Sequence, residues 1–568
     1  MEYGLIGGRL GHSYSKVIHE MLCGYRYDLC PLPTEEEVRA FMTRRQFRAI
    51  NVTIPYKLVV MEYCSYIDPH ARAINAVNTI VNRNGLLYGY NTDYPGFSYL
   101  CDAHGVEFKD RTVLILGTGG THNTTWAVAH DRGAKQIYTV SRHPDPEKGE
   151  LTYAQALTTG AQIIINTTPV GMYPNVGVSA LDITSMPGLE AVIDVIYNPD
   201  KTELILRAEE LGVPVAVGGL EMLVAQAVYA AEFFLDRKFE DAGAEIARVT
   251  SELRREQLNI ALIGMPSSGK STLGRALAER LGKRFVDLDE EIVKADGRSI
   301  PDIFAAEGEA GFRKLEAAQT ARFARENRQV ISCGGGVVKD PANLRALHAN
   351  GIVLFIDRPL EDLLVGGGRP LSTSPEALKT MEAQRRPLYL AAADAVIPNK
   401  TTPADAVTAA MEALDEILVI NGPNLNLTQF TEPGMEGQID FNTLLDYIEA
   451  GCAQMDVQVD FFQSNHEGDL IDEIQSAAGR ADGIILNPGG YAYYSVAILE
   501  ALQVCGVPAV EVMLADPSGK EPFRSVDVVS FGCQGRFAGE GVSGYLHACA
   551  YLVQLLRLDG GAQTHLVQ

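Results

Sequence analysis

Apolar residues along this chain come in short β-branched runs that stop at glycine- or asparagine-rich turns and give way to a helical spacing. The pattern recurs three times: TVLILGTGG at 112–120, IALIGMPSSGKST at 260–272 and ILVINGPNLN at 417–426. Strand, loop and helix in that order open a parallel α/β unit whose loop lies at the carboxyl edge of the sheet. The charged stretch 230–257 has a helical pattern and predicts a terminal helix plus connector. PADAVTAAMEALDE, 403–416, predicts a helix that runs almost directly into a strand beginning at Ile417. The expected fold class is α/β throughout, and 568 residues suffice for three or four domains at roughly 150 residues each.

Composition narrows the class. Hydrophobic residues make up 46% and charged residues 21%, as in soluble globular domains. The apolar runs ILVI (417–420) and IIIN (163–166) fall far short of the ~20 residues a spanning helix needs. The start, MEYGLIGGRLGHS, has no basic region followed by a long apolar one, so no secretory signal is expected. Nine cysteines, scattered from Cys23 to Cys549 without a CxxC pair, suit a reducing compartment, and the expected location is the cytoplasm. Forty-eight basic residues against 72 acidic ones give −24, which disfavours nucleic acid and anionic membrane surfaces as partners. Residues 416–568 are especially acidic, with five Lys/Arg against twenty Asp/Glu, a net charge of −15.

Two of the three strand–loop–helix junctions carry phosphate chemistry. Gly117, Gly119 and Gly120 follow a strand, and the next strand ends in TVSRHP, placing Arg142 where an NAD-binding protein usually carries an acid for the ribose hydroxyl. A cation there suits a 2′-phosphate, so NADP is favoured. GMPSSGKST matches the P-loop pattern between a strand and the helix TLGRALAERLG. Its glycines Gly264 and Gly269 let the backbone N–H groups of 264–270 cradle phosphates of ATP. Lys270 would reach the β/γ-phosphates, Ser271 would hold Mg²⁺, and Thr272 closes the nucleotide-binding run.

The motifs GHSYSK, NVTIPYK, INAVNTI, GYNTDYPG and GGLEMLVAQA (218–227) resemble shikimate dehydrogenase, in this order and over residues 1–250. The resemblance implies a substrate-binding part at 1–97, an NADP-binding Rossmann part at 98–225 and a closing helix at 226–250, followed by a linker at 251–257. It makes Ser13 and Ser15 partners of the substrate carboxylate, Thr53, Asn78 and Gln226 partners of the ring hydroxyls, and Lys57 and Asp93 the catalytic pair. Hydride delivery to the carbonyl of 3-dehydroshikimate creates an alkoxide that must gain a proton, and a lysine ammonium steadied by a carboxylate can give it. The family's Asn-Arg-Thr cofactor clamp reads Ser141-Arg142-His143 here. A quinate-using dehydrogenase is the rival, disfavoured by the Ser13/Ser15 pair.

Over residues 258–415, FVDLDEEI, IPDIFAAEGEAGFRKLE, SCGGGVV, RPL (369–371) and RRPLY (385–389) resemble shikimate kinase. That implies a metal-supporting Asp287 and an Asp289 that binds the acceptor hydroxyl and acts as its base. Arg313 and Arg385, with Gly335 and Gly336, would fix the shikimate, because a guanidinium pairs bidentately with a carboxylate. Arg369 would reach the nucleotide phosphates from a lid, LLVGGGRPL, whose glycines stand where a further arginine is often found.

Residues 416–568 carry ILVINGPNLNL, QSNHEGDLIDEI, ILNPGGYAYYSVAILEAL and FGCQGRFAGEGVSGYLHA, which resemble type II 3-dehydroquinate dehydratase, a flavodoxin-like fold that usually assembles as a dodecamer. Asn424, Gln463, Asn465 and Glu467 are retained. Thr431 and Glu436 stand at the family's arginine and tyrosine, Tyr493 at its histidine, Met513 and Ala515 at two substrate-binding positions, and Lys520 at an arginine. A phenol at 491, 493 or 494 needs a nearby cation to serve as a base, and this region is poor in cations. The whole reads as a multifunctional shikimate-pathway enzyme that makes shikimate and then phosphorylates it. Its third part is expected to act in homo-oligomer assembly; the alternative is a third, dehydratase activity.

Overall fold

Residues 1–8, 10–11, 13–239, 242–363, 374–400, 402–414, 416–427, 440–453, 455, 457–477, 481–515, 524 and 526–562 are described in a computed structural model. The chain divides into two units, one of Met1–Leu258 with Ala324–Asn327 and Arg345–Gly351, the other of Asn259–Phe323, Arg328–Leu344 and Ile352–Gln568.

In the first unit, β1 (Tyr3–Gly7), β2 (Tyr27–Pro31), β3 (Ala49–Val52), β4 (Tyr66–Ile67), β5 (Thr79–Arg83) and β6 (Leu86–Tyr90) form a sheet ordered β2-β1-β3-β5-β6-β4. It is mixed: β1 runs parallel to β2 and β3, while β5 runs antiparallel to β3 and β6. A second, parallel sheet is built from β7 (Thr112–Leu116), β8 (Gln136–Val140), β9 (Ile163–Asn166), β10 (Ala191–Asp194) and β11 (Val215–Val217), ordered β11-β10-β9-β7-β8. Its central strands are apolar without alternation because both faces are covered. Val113, Ile115, Ile163, Ile165 and Ile193 enter one core, and Leu114, Leu116, Ile164 and Val192 the other.

The stretch expected to be one closing helix and a linker is two helices, Leu220–Leu235 and Ala242–Gln257. Residues 251–257 are therefore not a connector. They continue the second helix because Ile246, Val249 and Leu253 repeat at helical spacing and are buried against Val224 and Val228.

The second unit holds two further sheets. β12 (Asn259–Ile263), β13 (Arg284–Asp287), β14 (Gln329–Ser332), β15 (Gly351–Asp357) and β16 (Ala395–Pro398) are ordered β13-β14-β12-β15-β16, with the P-loop helix Lys270–Leu281 following β12. β17 (Glu416–Asn421), β18 (Gln458–Gln463), β19 (Gly483–Asn487), β20 (Ala509–Met513) and β21 (Gly535–Ala538) lie parallel in the order β18-β17-β19-β20-β21, the flavodoxin-like arrangement. Alternate residues again feed two cores: Ile417, Val419, Ile485, Val510 and Val512 on one face, Leu418, Ile420, Ile484, Leu486 and Ala509 on the other. The fold class is thus α/β throughout: a substrate half and a Rossmann half, then a P-loop sheet, then a flavodoxin-like sheet. Among the described residues no helix is long and apolar enough to cross a membrane.

One ionisable residue interrupts the last core. Glu511 is fully buried in β20, opposite Arg536 of β21 in the sheet register. Arg536 Nε lies 3.3 Å from its carboxylate and Nη2 2.9 Å from that of Asp527. A single guanidinium serves two carboxylates, so burial, and then the charge of Asp527, raises the Glu511 carboxyl well above the ordinary range. The folded state then keeps this proton to higher pH than the unfolded chain does, and its stabilising effect is lost as pH rises from the ordinary carboxylate range toward the raised value. Hydrogen-exchange protection of β20 and β21 in the full chain should fall between about pH 5 and pH 7.5, by about 1.4 kcal/mol for each pH unit in this window. Glu511→Gln should remove most of that dependence, and an unchanged profile in the variant refutes the account.

Candidate active sites

The first unit contains a cleft of about 1450 Å³. Ser13, Ser15, Thr53, Lys57, Asn78, Asp93 and Gln226 all line it. So do Gly117, Gly119 and Arg142 from the edge of the parallel sheet, whereas Gly120 does not. Lys57 comes from the turn after β3, and Asp93 opens the helix Asp93–Ala103 that follows β6. Lys57 Nζ donates to Asp93 Oδ2 at 2.6 Å, both side chains being mostly shielded from water. The other oxygen, Oδ1, accepts from Asn78 Nδ2 at 2.9 Å. Asn78 is held in turn by Thr92, whose backbone N–H donates to Asn78 Oδ1 at 2.8 Å. A carboxylate committed at both oxygens fixes the direction of the ammonium, and in such a shielded pair loss of one partner strands the other.

The remaining expected substrate contacts are spread around this pair. Ser13 Oγ donates to Ser15 Oγ at 3.1 Å, so the two hydroxyls stand together at the start of the helix Ser15–Cys23. Gln226 Nε2 donates to Leu223 O of its own helix at 2.8 Å.

At the cofactor end, Gly117 adopts φ +102°, and a Cβ there would come within 3.0 Å of Thr167 Oγ1, so this turn demands glycine. Gly119 and Gly120 face open space. The helix Gly120–Asp131 begins without a side-chain cap or an acid in its first turn, which leaves its N–H groups for an anion. Arg142 is exposed on the cleft wall with no hydrogen-bond or ion-pair partner among the described residues. These features fit a dinucleotide with a third phosphate.

In the P-loop unit, Gly264 (φ +142°) and Gly269 (φ +93°) make the turns that curl the loop around Lys270. Lys270 Nζ donates to Gly264 O at 3.0 Å and Met265 O at 2.7 Å. Ser271 Oγ donates to Asp287 Oδ2 at 2.6 Å, bringing together the two oxygen groups expected at the metal, a donor type that suits Mg²⁺. Thr272 is exposed beside them. Asp287 also caps the helix Leu288–Asp296, accepting from Asp289 N–H at 3.1 Å.

The helical run Ile300–Ala324, broken at Gly308, carries Arg313, whose guanidinium pairs with Glu316 at 2.6 Å and Glu309 at 3.1 Å. It lies so close to Gly336 that a Cβ there would meet it at 2.2 Å. Arg385 Nη1 donates to Gly335 O at 2.8 Å, and the Tyr389 hydroxyl donates to the same carbonyl. Sequence reasoning passed over Glu316, although its signal was present as the Arg–x–x–Glu spacing in FRKLE. It is 1% exposed, and its carboxyl is raised by burial against the lowering effect of Arg313. Arg369 and most of the expected lid lie outside the described residues.

In the last unit, Asn424 N–H donates to Asn465 Oδ1 at 2.8 Å, Tyr491 OH donates to Asn465 O at 2.9 Å, and Gln463 Nε2 donates to Gly422 O at 3.3 Å. These retained residues bind one another at the carboxyl edge of β17 and β18. The expectation that the tyrosines lack a nearby cation is corrected at one position: Arg524 lies over the ring of Tyr493, 5.1 Å from its centroid. Met513 accepts from Arg536 Nη2 at 3.3 Å. Thr431, Glu436 and Lys520 fall outside the described residues.

Family models match three consecutive segments of the chain: Shikimate dehydrogenase substrate binding domain over residues 5–80, Shikimate kinase over 266–415 and Dehydroquinase class II over 415–553. Shikimate dehydrogenase (NADP(+)) of Clostridium beijerinckii is 36% identical over 253 residues, covering 42% of this chain and 93% of the relative. The protein of the same name from Bacillus cereus strain G9842 is 35% identical over 259 residues, covering 41% and 91%. Among solved structures, shikimate dehydrogenase 1 from Peptoclostridium difficile is 32% identical, covering 44% of this chain and 98% of that one, with a TM-score of 0.41.

Proposed function

The chain belongs to the shikimate dehydrogenase family, with a shikimate kinase domain and a class II dehydroquinase domain following in order, and from that premise we propose that it reduces 3-dehydroshikimate to shikimate and phosphorylates the product. We assign the two reactions to residues 1–250 and 258–415. The observation that carries the first is the Lys57–Asp93 bond of 2.6 Å inside a cleft that also holds Ser13, Ser15 and Arg142.

NADPH, when bound, supplies the hydride. Arg142 and the N–H groups of Gly120 and Thr121, opening the helix Gly120–Asp131, hold its phosphates. Ser13 and Ser15 orient the substrate carboxylate, while Thr53, Asn78 and Gln226 orient the ring. Lys57 gives its proton to the oxygen that becomes the new hydroxyl, and Asp93, held by Asn78, keeps the ammonium aimed at that oxygen. Lys57→Ala and Asp93→Asn should each slow shikimate oxidation by about 10²–10⁴-fold. NADP⁺ binding, followed by calorimetry, should survive in both. Retention of more than half the rate in either variant removes this pair from the chemistry.

For the kinase reaction, ATP is the phosphoryl donor. Lys270 exchanges its carbonyl partners for the β/γ-phosphates, and Ser271 and Asp287 supply oxygen ligands for Mg²⁺. Arg313, braced by Glu309 and Glu316, and Arg385 fix the shikimate carboxylate, while Asp289 takes the proton of the attacking hydroxyl. Asp289→Asn should keep ATP affinity and lose phosphoryl transfer by a factor of about 10² or more, measured by coupled ADP release. A fully active variant rules out the assignment.

We read residues 416–568 as an assembly module that gathers copies of the two enzymes, because the base, its activating arginine and the histidine of the family's reaction are substituted by Glu436, Thr431 and Tyr493. The second reading, a working dehydratase, rests on Arg524 over Tyr493, which supplies a cation beside a phenol. An assay of 3-dehydroquinate with the full chain, watching the conjugated enone absorbance, should stay at background. Turnover that Tyr493→Phe or Glu436→Gln removes would make the chain trifunctional.

A further inference from the structure

The first unit includes two short segments, Ala324–Asn327 and Arg345–Gly351, that come from far along the chain, within the span 258–415 assigned to the kinase. Both are bonded to loops that wall the dehydrogenase cleft. Arg345 Nη2 lies 2.7 Å from Glu203 Oε1 and Nε donates to Oε2 at 3.2 Å, a two-point pairing with the first residue of the helix Glu203–Glu210, while Nη1 pairs with Glu210 at its far end. Lys201 N–H donates to Ala349 O at 2.9 Å, and Asp200 N–H to Asn350 Oδ1 at 3.4 Å. Asn350 is buried, and its Nδ2 donates to Glu326 O at 3.0 Å, so one side chain joins the two segments and the loop.

That loop runs from the end of β10 to the helix Glu203–Glu210, and its Val195, Ile196, Tyr197 and Asn198 line the cleft. The ring of Tyr197 stands 5.2 Å from that of Tyr14. Tyr14 separates Ser13 from Ser15 and starts the helix Ser15–Cys23 without a side-chain cap. The bonds between the two serines, Oγ to Oγ at 3.1 Å and Ser15 N–H to Ser13 Oγ at 3.3 Å, fix them relative to each other. They leave open where the pair stands in the cleft. The Tyr14 ring packs on the cluster around Ile246, Val249 and Leu253, and burial raises its phenol, which stays neutral. A shielded hydroxyl needs a partner, and among the described residues it has one: Asn327 Nδ2 donates to it at 2.7 Å across 313 positions of sequence.

We propose that Asn327 is a positioning residue of the dehydrogenase: by holding the Tyr14 hydroxyl it sets where Ser13 and Ser15 stand, and with them the affinity for the substrate carboxylate. Lys57 and Asp93 bond to each other and to Asn78, not to Tyr14 or Asn327, so the effect falls on substrate binding and leaves proton transfer alone. The dehydrogenase assigned to residues 1–250 thereby takes a support from residues 324–327. The inference rests on the dehydrogenase reading of the cleft and adds a residue to it that lies outside the dehydrogenase span.

The test is steady-state shikimate oxidation by the full chain with NADP⁺; rates are read in place of binding because shikimate would also occupy the kinase. Asn327→Ala should raise KM for shikimate about three- to tenfold, the loss of one neutral hydrogen bond, with kcat and KM for NADP⁺ changed by less than about twofold. Tyr14→Phe removes the same bond from its other end and should do the same. The double variant should match the larger single effect, because the two substitutions delete one interaction, whereas unrelated packing defects would multiply. An unchanged KM for shikimate in Asn327→Ala, an equal fall in kcat, or a double variant at the product of the two singles overturns the inference while the dehydrogenase reading stands. If the wild-type chain does not oxidise shikimate, the dehydrogenase reading falls and takes the inference with it.

Discussion

Covering a parallel sheet on both faces leaves its strand ends as the places where polar chemistry can stand. The Rossmann, P-loop and flavodoxin-like sheets are built under that constraint, with fully buried Val113–Leu116, Ile260–Ile263 and Ile417–Ile420 at their centres. Side chains there have no water and few partners, so strands stay apolar until they end, and backbone N–H groups of the next helix emerge at the carboxyl edge. The glycine turn before Gly120, the P-loop before Lys270 and the NGPN turn after Asn421 all occupy that position.

The polar groups of the candidate sites are paired before any ligand arrives. Lys57 rests on Asp93, Lys270 on the carbonyls of its own loop, and Arg313 between Glu309 and Glu316. Pairing avoids the cost of a shielded, unsatisfied charge, which exceeds what most single contacts contribute. It also presets direction: a ligand exchanges one partner for another and finds the side chain already aimed. Arg142 and His143 differ: they project from an exposed turn, where water meets the cost of having no hydrogen-bond or ion-pair partner among the described residues.

The flavodoxin-like sheet also carries interlocked polar groups at this edge. Asn424, Gln463, Asn465 and Tyr491 still interlock there. Met513 and Glu511, two positions apart on one strand face, now both lean on Arg536. The scaffold's two cores rest on alternating apolar positions in its strands.

The sequence alone determined where strands stop and helices start, because those signals are local: an apolar run covered on both sides, and glycines at Gly117, Gly264 and Gly269 whose positive φ other residues resist. The residues it named for the dehydrogenase site, apart from Gly120, do line the cleft, through motifs whose members are close in the chain, but they are a minority of the lining. The helix that absorbed 251–257 was missed because Leu253 counts as a core position only once Val224 and Val228 are beside it. The meeting of Lys57 with Asp93, 36 residues apart, was expected from the family resemblance. Tertiary structure alone decided the others: Asn78 reaches across to Asp93, Arg524 settles on Tyr493, and Glu511 faces Arg536. Those meetings follow from strand order and register, which bring distant strand ends to one edge, and hydrophobic periodicity within a strand carries no record of its neighbour.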